Sequence, residues 1–264
     1  MNRLFSIVIA AVVLIVCIVA QPVLTTEASV GTPTQQQVQQ TTAFFESFNQ
    51  LLEKHSTKIL SMFTDKGTQT FFQTEDKTRL KEVVKHLNPM TIYQITVQPV
   101  DGSTLIATVG YTGIGSPNAY STSQFTLLTS GKAMLIDGFA PADLSFPEGK
   151  KVSKASLKLT DEGFVIKENL KAADFLLLSV RNESSDPASG FITIYRLDKS
   201  SSYEATVAAG LPFKQEQSVA SIVVVSGDHA KIAFVGFRPG DYVVVDGMLG
   251  DSWSTGPVAH FTVK

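Results

Sequence analysis

From Gln35 onward the apolar residues follow one spacing and then another. Val38, Thr41, Phe45, Phe48 and Leu52 fall three or four residues apart, which predicts a helix over 35–54 with one apolar face. A short helix over 57–63 would bury Ile59, Leu60 and Phe63, and Asp65-Lys66-Gly67 reads as its end. Thr70-Phe71-Phe72 reads as a short strand. Leu80, Val83, Val84 and Leu87 predict a third helix over 76–87, stopped by Asn88-Pro89. From Thr91 the period becomes two. It predicts strands over 91–99, 104–114, 119–129 and 132–139, with Asp101-Gly102 and Ser130-Gly131 as hairpin turns. Successive hairpins make an antiparallel sheet, whose inner face would pack against the helices.

The pattern breaks at 140–154. Ala140 to Lys151 holds Pro141, Pro147 and Gly149 and few large apolar residues, as a linker does. Beyond it, strands are predicted over 155–160, 163–166, 175–181, 191–197, 222–225, 231–237, 242–245 and 258–263, with one short helix over 201–209 capped by Ser201 or Ser202. In the strand after Pro239-Gly240, Val243 and Val245 point one way, and Tyr242 and Val244 the other. The fold class is therefore α+β over 35–139, then all-β over 155–264, the latter a sandwich of many short strands.

Composition changes this picture at one end of the chain. Asn2-Arg3 followed by an apolar run from Leu4 to Ala20 reads as a secretory signal or a single membrane anchor, with 21–34 as a stalk. Residues 1–28 are assigned to this segment, with Ala20 and Ala28 as candidate cleavage points. The expected location is extracytoplasmic, secreted or held on the outer face of the cytoplasmic membrane, with membrane contact only through this segment. Cys17 is the only cysteine, and Val16 before it is larger than a lipidation site wants. The exported part therefore has no disulfide and no thiolate ligand. A net charge of −2 gives no basic footprint for nucleic acid.

Ala43 to Asn49, Leu60 to Asp65 and Gly131 to Asp137 resemble the opening helix, the "LFTDD" segment and the closing strand of the SnoaL-like (nuclear transport factor 2-like) family. That resemblance implies a cone in which three helices and a curved antiparallel sheet enclose a pocket. Family enzymes place an Asp, His or Tyr there, which makes Tyr93, Tyr111, His86 and Asp137 the candidates here. A carboxylate buried in such a pocket would have a raised pKa and could act as a base. The plainer readings are half-buried strand aromatics for the tyrosines, a helix C-terminal cation for His86 and a strand-end residue for Asp137. Phe45 and Phe48, with Tyr93 and Tyr111, are the candidates for lining a site for a small apolar molecule; as core residues they need no ligand. The family also implies a homodimer formed through the open sheet face.

Leu157 to Phe164, Leu178 to Asn182, Gly227 to Tyr242 and Phe261 to Val263 resemble strands of cupredoxin-like domains, which implies a Greek-key β-sandwich. The copper ligands of that family are missing. Asp246 stands where the family has its cysteine, and Glu183 to Gly190 offers no histidine where the first imidazole is expected. Met248 alone would bind little, and His229 and His260 match no ligand position. Asp228, Asp246 and Asp251 form no spaced cation loop. Trp253 lies in the loop replacing the copper loop, as a binding edge or folded back on the sandwich. Asn182-Glu183-Ser184 is a glycosylation sequon. The expected function is that of an exported, non-enzymatic two-domain binding or interaction protein without cofactor or metal, its partner a small apolar molecule or a protein. The alternative is an isomerase- or dehydratase-type enzyme, or an apolar-ligand carrier, using the first-half pocket.

Overall fold

Helix α1 (Gln35–Glu53) starts at Thr34, whose hydroxyl accepts from the Gln37 amide while the Gln37 side chain accepts from the Thr34 amide. The structure is a computed structural model that describes residues 31–114, 116–131, 133–167, 170–197, 202–210, 218–247 and 256–264. The segment 1–28 with Cys17, and Met248, Asp251 and Trp253, lie outside the described residues. Among the described residues no helix is long and apolar enough to cross a membrane. The chain divides into two compact units: residues up to Pro117 with Ser121–Pro147, and Asn118–Tyr120 with Glu148–Lys264.

In the first unit, α1 buries Thr41, Phe44, Phe45, Phe48 and Leu52, whereas Val38 stays exposed at its first turns. A 3₁₀ turn (Thr57–Met62) buries Ile59. Next comes α2 (Asp65–Phe72), where the sequence pattern predicts a helix end and a short strand. Thr64 is its N-cap, accepting from the Gly67 amide at 3.0 Å, and Gln73 closes it in the left-handed conformation. Gly67 is not a terminator: a Cβ there would lie 1.9 Å from the Ile136 carbonyl oxygen. Its missing side chain lets α2 rest backbone to backbone on the sheet. Helix α3 (Lys77–His86) is capped by Asp76 and buries Leu80 and Val84.

Strands β1 (Thr91–Pro99), β2 (Thr104–Gly113), β3 (Ser116–Ser130) and β4 (Ala133–Pro141) come next, and within the first unit they pair in sequence order, all antiparallel. Val97, Leu105, Ala107, Val109, Phe125, Leu127 and Ile136 supply the sheet's side of a core shared with the helices. On the other face a strap crosses the sheet. The Ala142 and Ser145 amides donate to the Thr122 carbonyl oxygen and hydroxyl, and the Gln94 amide donates to Ser145.

The second unit contains two sheets. In one, β5 (Val152–Thr160) lies between β6 (Gly163–Lys167), antiparallel, and β7 (Phe175–Asn182), parallel; β7 also pairs with β10 (His229–Val235). Ala119 and Tyr120 pair with Phe234 and Ala233 at the β10 edge. In the other sheet the order is β9 (Ser218–Val223), β8 (Phe191–Arg196), β11 (Gly240–Asp246), β12 (Val258–Val263), all antiparallel. Strand β9 begins earlier than its Ile222–Val225 pattern predicts. Alternate residues of both sheets meet in one core: Leu157, Leu159, Leu178 and Val180 from one side, Ile192, Ile194, Tyr242 and Val244 from the other. Val243 and Val245 pack on the opposite face with Tyr195, Leu197 and Tyr203 of helix α4 (Tyr203–Ala208), which Ser202 caps. The second sheet is thus buried on both faces at β8 and β11, which explains the unbroken apolar run from Tyr242 to Val245.

Candidate functional site

Asp246, the last residue of β11, is the chemically unusual position of the second unit. It is 8% exposed, and its Oδ1 accepts the Gly190 amide at 2.8 Å. Its backbone is held as well: its amide donates to the Pro257 carbonyl oxygen at 3.1 Å. Burial pushes the carboxyl above its ordinary range, opposed by the Gly190 and Phe191 amides and reinforced by the nearby Asp186 charge.

The loop that reaches Asp246 runs from Asn182 to Gly190, and its shape is set by a buried amide. The Asn182 Nδ2 donates to the Val224 carbonyl oxygen at 2.8 Å and to the Ser189 carbonyl oxygen at 3.3 Å. Its Oδ1 accepts the Ser184 amide at 3.0 Å. Farther out, the Asp161 carboxylate accepts the Ser184 hydroxyl and both the amide and hydroxyl of Ser185, which hold its pKa below the usual carboxylate range. Ser226 donates its hydroxyl to the Ser184 carbonyl oxygen. Every one of these polar groups has a partner within the loop or the adjoining strands. The sequon asparagine is fully buried and its nitrogen is engaged, so glycan transfer to the folded protein has no access to it.

These residues do not fit a type-1 copper centre. Such a centre needs a thiolate and two imidazoles converging on one point. Asp246, where the sequence resemblance places the cysteine, carries a carboxylate already bonded to a backbone amide, and Glu183–Gly190 brings no imidazole. Among the described residues no three His, Cys, Asp or Glu side chains gather closely enough to hold a metal ion. His229 opens β10 opposite Arg181, and Asp228 donates its amide to the Val225 carbonyl oxygen in the preceding turn.

His260 has a different setting, one that reading along the chain does not reveal. The β11–β12 register places Asp241 opposite Thr262 and diagonal to His260 on one face. The Asp241 Oδ1 accepts the Thr262 hydroxyl at 2.6 Å and lies 3.3 Å from the His260 Nε2, and the His260 ring stacks on Tyr203 at 5.0 Å. The Thr262 hydroxyl, then His260, hold the Asp241 carboxyl below its usual range. The trio fastens α4 to the sheet.

The candidates of the first unit have separate settings, except that the β1–β2 register puts Tyr93 next to the Ile92–Tyr111 pair. Asp137, in β4, accepts the Thr64 hydroxyl at 2.8 Å and the Lys66 ammonium at 2.9 Å. The Lys66 bond, then the Thr64 bond, depress its pKa although desolvation opposes them. A general base in an apolar pocket needs the opposite shift. Tyr111 is buried, its hydroxyl 3.2 Å from the Ser123 hydroxyl, and burial raises its pKa. Tyr93 is half-buried at a β-bulge, where the β1–β2 register skips from Ile92 to Gln94. His86 is exposed in the last turn of α3. Phe45 and Phe48 are fully buried, and Phe45 meets Phe44 and Phe125 edge to face at 5.5 and 5.0 Å. They belong to a continuous aromatic core with Phe63, Phe71 and Phe72.

No protein-family model matches this chain, and no curated protein does. Solved structures similar to parts of it include auracyanin B, at 13% identity over 46% of this chain and 95% of that one, with a TM-score of 0.31. Reduced auracyanin from Roseiflexus castenholzii is similar at 14% identity over 43% and 95%, TM-score 0.26. The McoA multicopper oxidase of Aquifex aeolicus is similar at 10% identity over 61% of this chain and 47% of that one, TM-score 0.24. Likeness at these scores assigns no chemistry to this chain.

The pH dependence of Asp246 gives a first test. A carboxyl whose folded pKa is raised contributes stability that is full below its unfolded value, near 3.8, and is lost as pH rises through the folded value. Asp246→Asn mimics the protonated acid while keeping an oxygen for the Gly190 amide. Its unfolding free energy is expected to match wild type below pH about 4 and to exceed it at pH 7. Asp246→Ala, which leaves the Gly190 amide without an acceptor, should instead lose about 1–3 kcal/mol at pH 7. Denaturant titration of both variants at the two pH values reads this out. An Asn variant weaker than wild type at pH 7 would contradict it.

Proposed function

We propose that the chain is an exported, non-enzymatic two-domain binding protein whose second domain is a cupredoxin-like sandwich that works without copper. The observation that carries this reading is the Gly190 amide bonded at 2.8 Å to Asp246, at the position where the resemblance places the metal's sulfur ligand. The only cysteine of the chain, Cys17, lies in the apolar N-terminal run, so no thiolate is available to the sandwich. Two packed sheets with a buried β8–β11 ladder support the sandwich reading. In the first domain, helices packed on a sequential antiparallel sheet support the SnoaL-like reading. There the depressed pKa of Asp137 and the dense phenylalanine core favour a non-catalytic scaffold over an isomerase. The apolar run from Leu4 to Ala20 supports export.

Titration of the exported chain with Cu(II), followed by visible absorption and by metal content after gel filtration, tests the copper-free assignment. The expected result is no intense thiolate-to-copper band and less than stoichiometric retained copper. One tightly held copper per chain would overturn it.

A further inference from the structure

At the start of β11, at the other end of that strand from Asp246, the second unit has a cavity of about 270 Å³. Two guanidinium-bearing residues, Arg196 and Arg238, line it together with Asn118, Phe237, Val219 and Tyr242. From these residues we infer a binding site for a small organic anion, a carboxylate carried on a compact apolar body such as an aromatic ring.

Arg196 is held in place before any ligand arrives. Its Nη2 donates to the Pro239 carbonyl oxygen at 2.9 Å, and its guanidinium covers Gly240 at a distance where an added Cβ would already touch it, 3.5 Å. One donor is thereby fixed, and among the described residues the other guanidinium donors have no acceptor and can serve a ligand. Gly240, at φ +142°, leaves room for that arrangement. Among the described residues neither Arg196 nor Arg238 forms an ion pair with a carboxylate. Two cations without a carboxylate partner among the described residues line one small cavity, and a bound anion would be attracted to both.

The remaining wall suits an apolar body. Tyr242 stacks on Phe237 at 4.9 Å and on Phe261 at 5.3 Å. Its hydroxyl donates to the Arg238 carbonyl oxygen at 2.8 Å and accepts the Arg238 amide at 3.1 Å, so the phenol is already satisfied and the tight Arg238–Tyr242 turn is locked. Burial raises the pKa of that hydroxyl, and the Arg196 and Arg238 charges oppose the shift. Aromatic and valine side chains, a fixed guanidinium fork, a second arginine and Asn118 together line a site of mixed character. Its volume suits a molecule of roughly ten non-hydrogen atoms.

This inference deepens the proposed binding function and rests on it only in giving the second unit a ligand. Retained copper would overturn that function and leave the cavity's anion binding measurable; loss of anion binding would overturn this inference alone. The test is calorimetric titration of the full exported chain at low salt with benzoate, with benzamide and inorganic phosphate as separate arms. Saturable benzoate binding, with neither benzamide nor phosphate binding comparably, is expected. R238Q should weaken it about tenfold without moving the unfolding temperature, since the Arg238 hydrogen bonds to Tyr242 are backbone ones. R196Q should weaken it further, together with some loss of stability through the Pro239 contact. Absence of benzoate binding, equal binding of benzamide, preference for phosphate, or an unchanged affinity in R238Q would each overturn the inference.

Discussion

Gly190→Ala is expected to unfold the second unit at temperatures where the wild-type unit is intact. Gly190 has φ +106°, and a Cβ there would lie 2.1 Å from the Val224 carbonyl oxygen and 2.5 Å from the Asn182 Nδ2. Those two groups are bonded to each other, and the Gly190 carbonyl oxygen accepts the Val224 amide at 2.9 Å while its own amide holds Asp246. The substitution therefore strains the backbone and drives a methyl group into a closed network. Backbone strain of about 1–3 kcal/mol and overpacking of similar size give an expected loss of about 3–5 kcal/mol. Calorimetry of the whole chain should show the transition of the second unit shifted down and that of the first unit in place. A shift corresponding to less than about 1 kcal/mol would show that the loop does not lean on Asn182 and Asp246 as described.

Phe45→Ala should have an effect of the same size in the first unit. The ring is fully buried and in edge contact with Phe44, Phe48 and Phe125. Removing it takes away apolar burial and leaves a cavity, an expected cost of about 3–5 kcal/mol. The result also separates two roles. A phenylalanine lining a ligand pocket can be shortened at little cost to stability, because one side of it has no protein neighbour. A loss below about 1 kcal/mol, with altered retention of an apolar ligand, would favour the carrier reading over the scaffold.

Much of the secondary structure was legible along the chain. The helical stripe from Thr41 to Leu52 and the period-two runs of β1 to β4 carry their own signal, because each element has one buried face. Region 65–72 misleads for a physical reason. Gly67 looks like a helix breaker until the Ile136 backbone is seen against it, and Phe71 and Phe72 look like strand until both are seen in the helix-side core. Contact between residues so far apart in the chain cannot be inferred from neighbours in sequence. Asp246 was legible as a departure from a ligand pattern, but its hydrogen bond to Gly190 depends on loop closure. The Asp241–His260 contact and the Arg196–Arg238 cavity are likewise products of strand register, which composition does not encode.

On the proposed reading, the Asp246 carboxylate, bonded to the Gly190 amide, stands where the sequence resemblance places a copper ligand, and the second unit works without metal. Native mass spectrometry of the protein purified from its own host, joined to elemental analysis of the same sample, decides this. A processed chain free of copper is expected, with any added mass lost on denaturation and belonging to an organic molecule or a protein partner. One copper ion per chain, surviving gel filtration and lost only on unfolding, would show instead that the domain is a metal carrier.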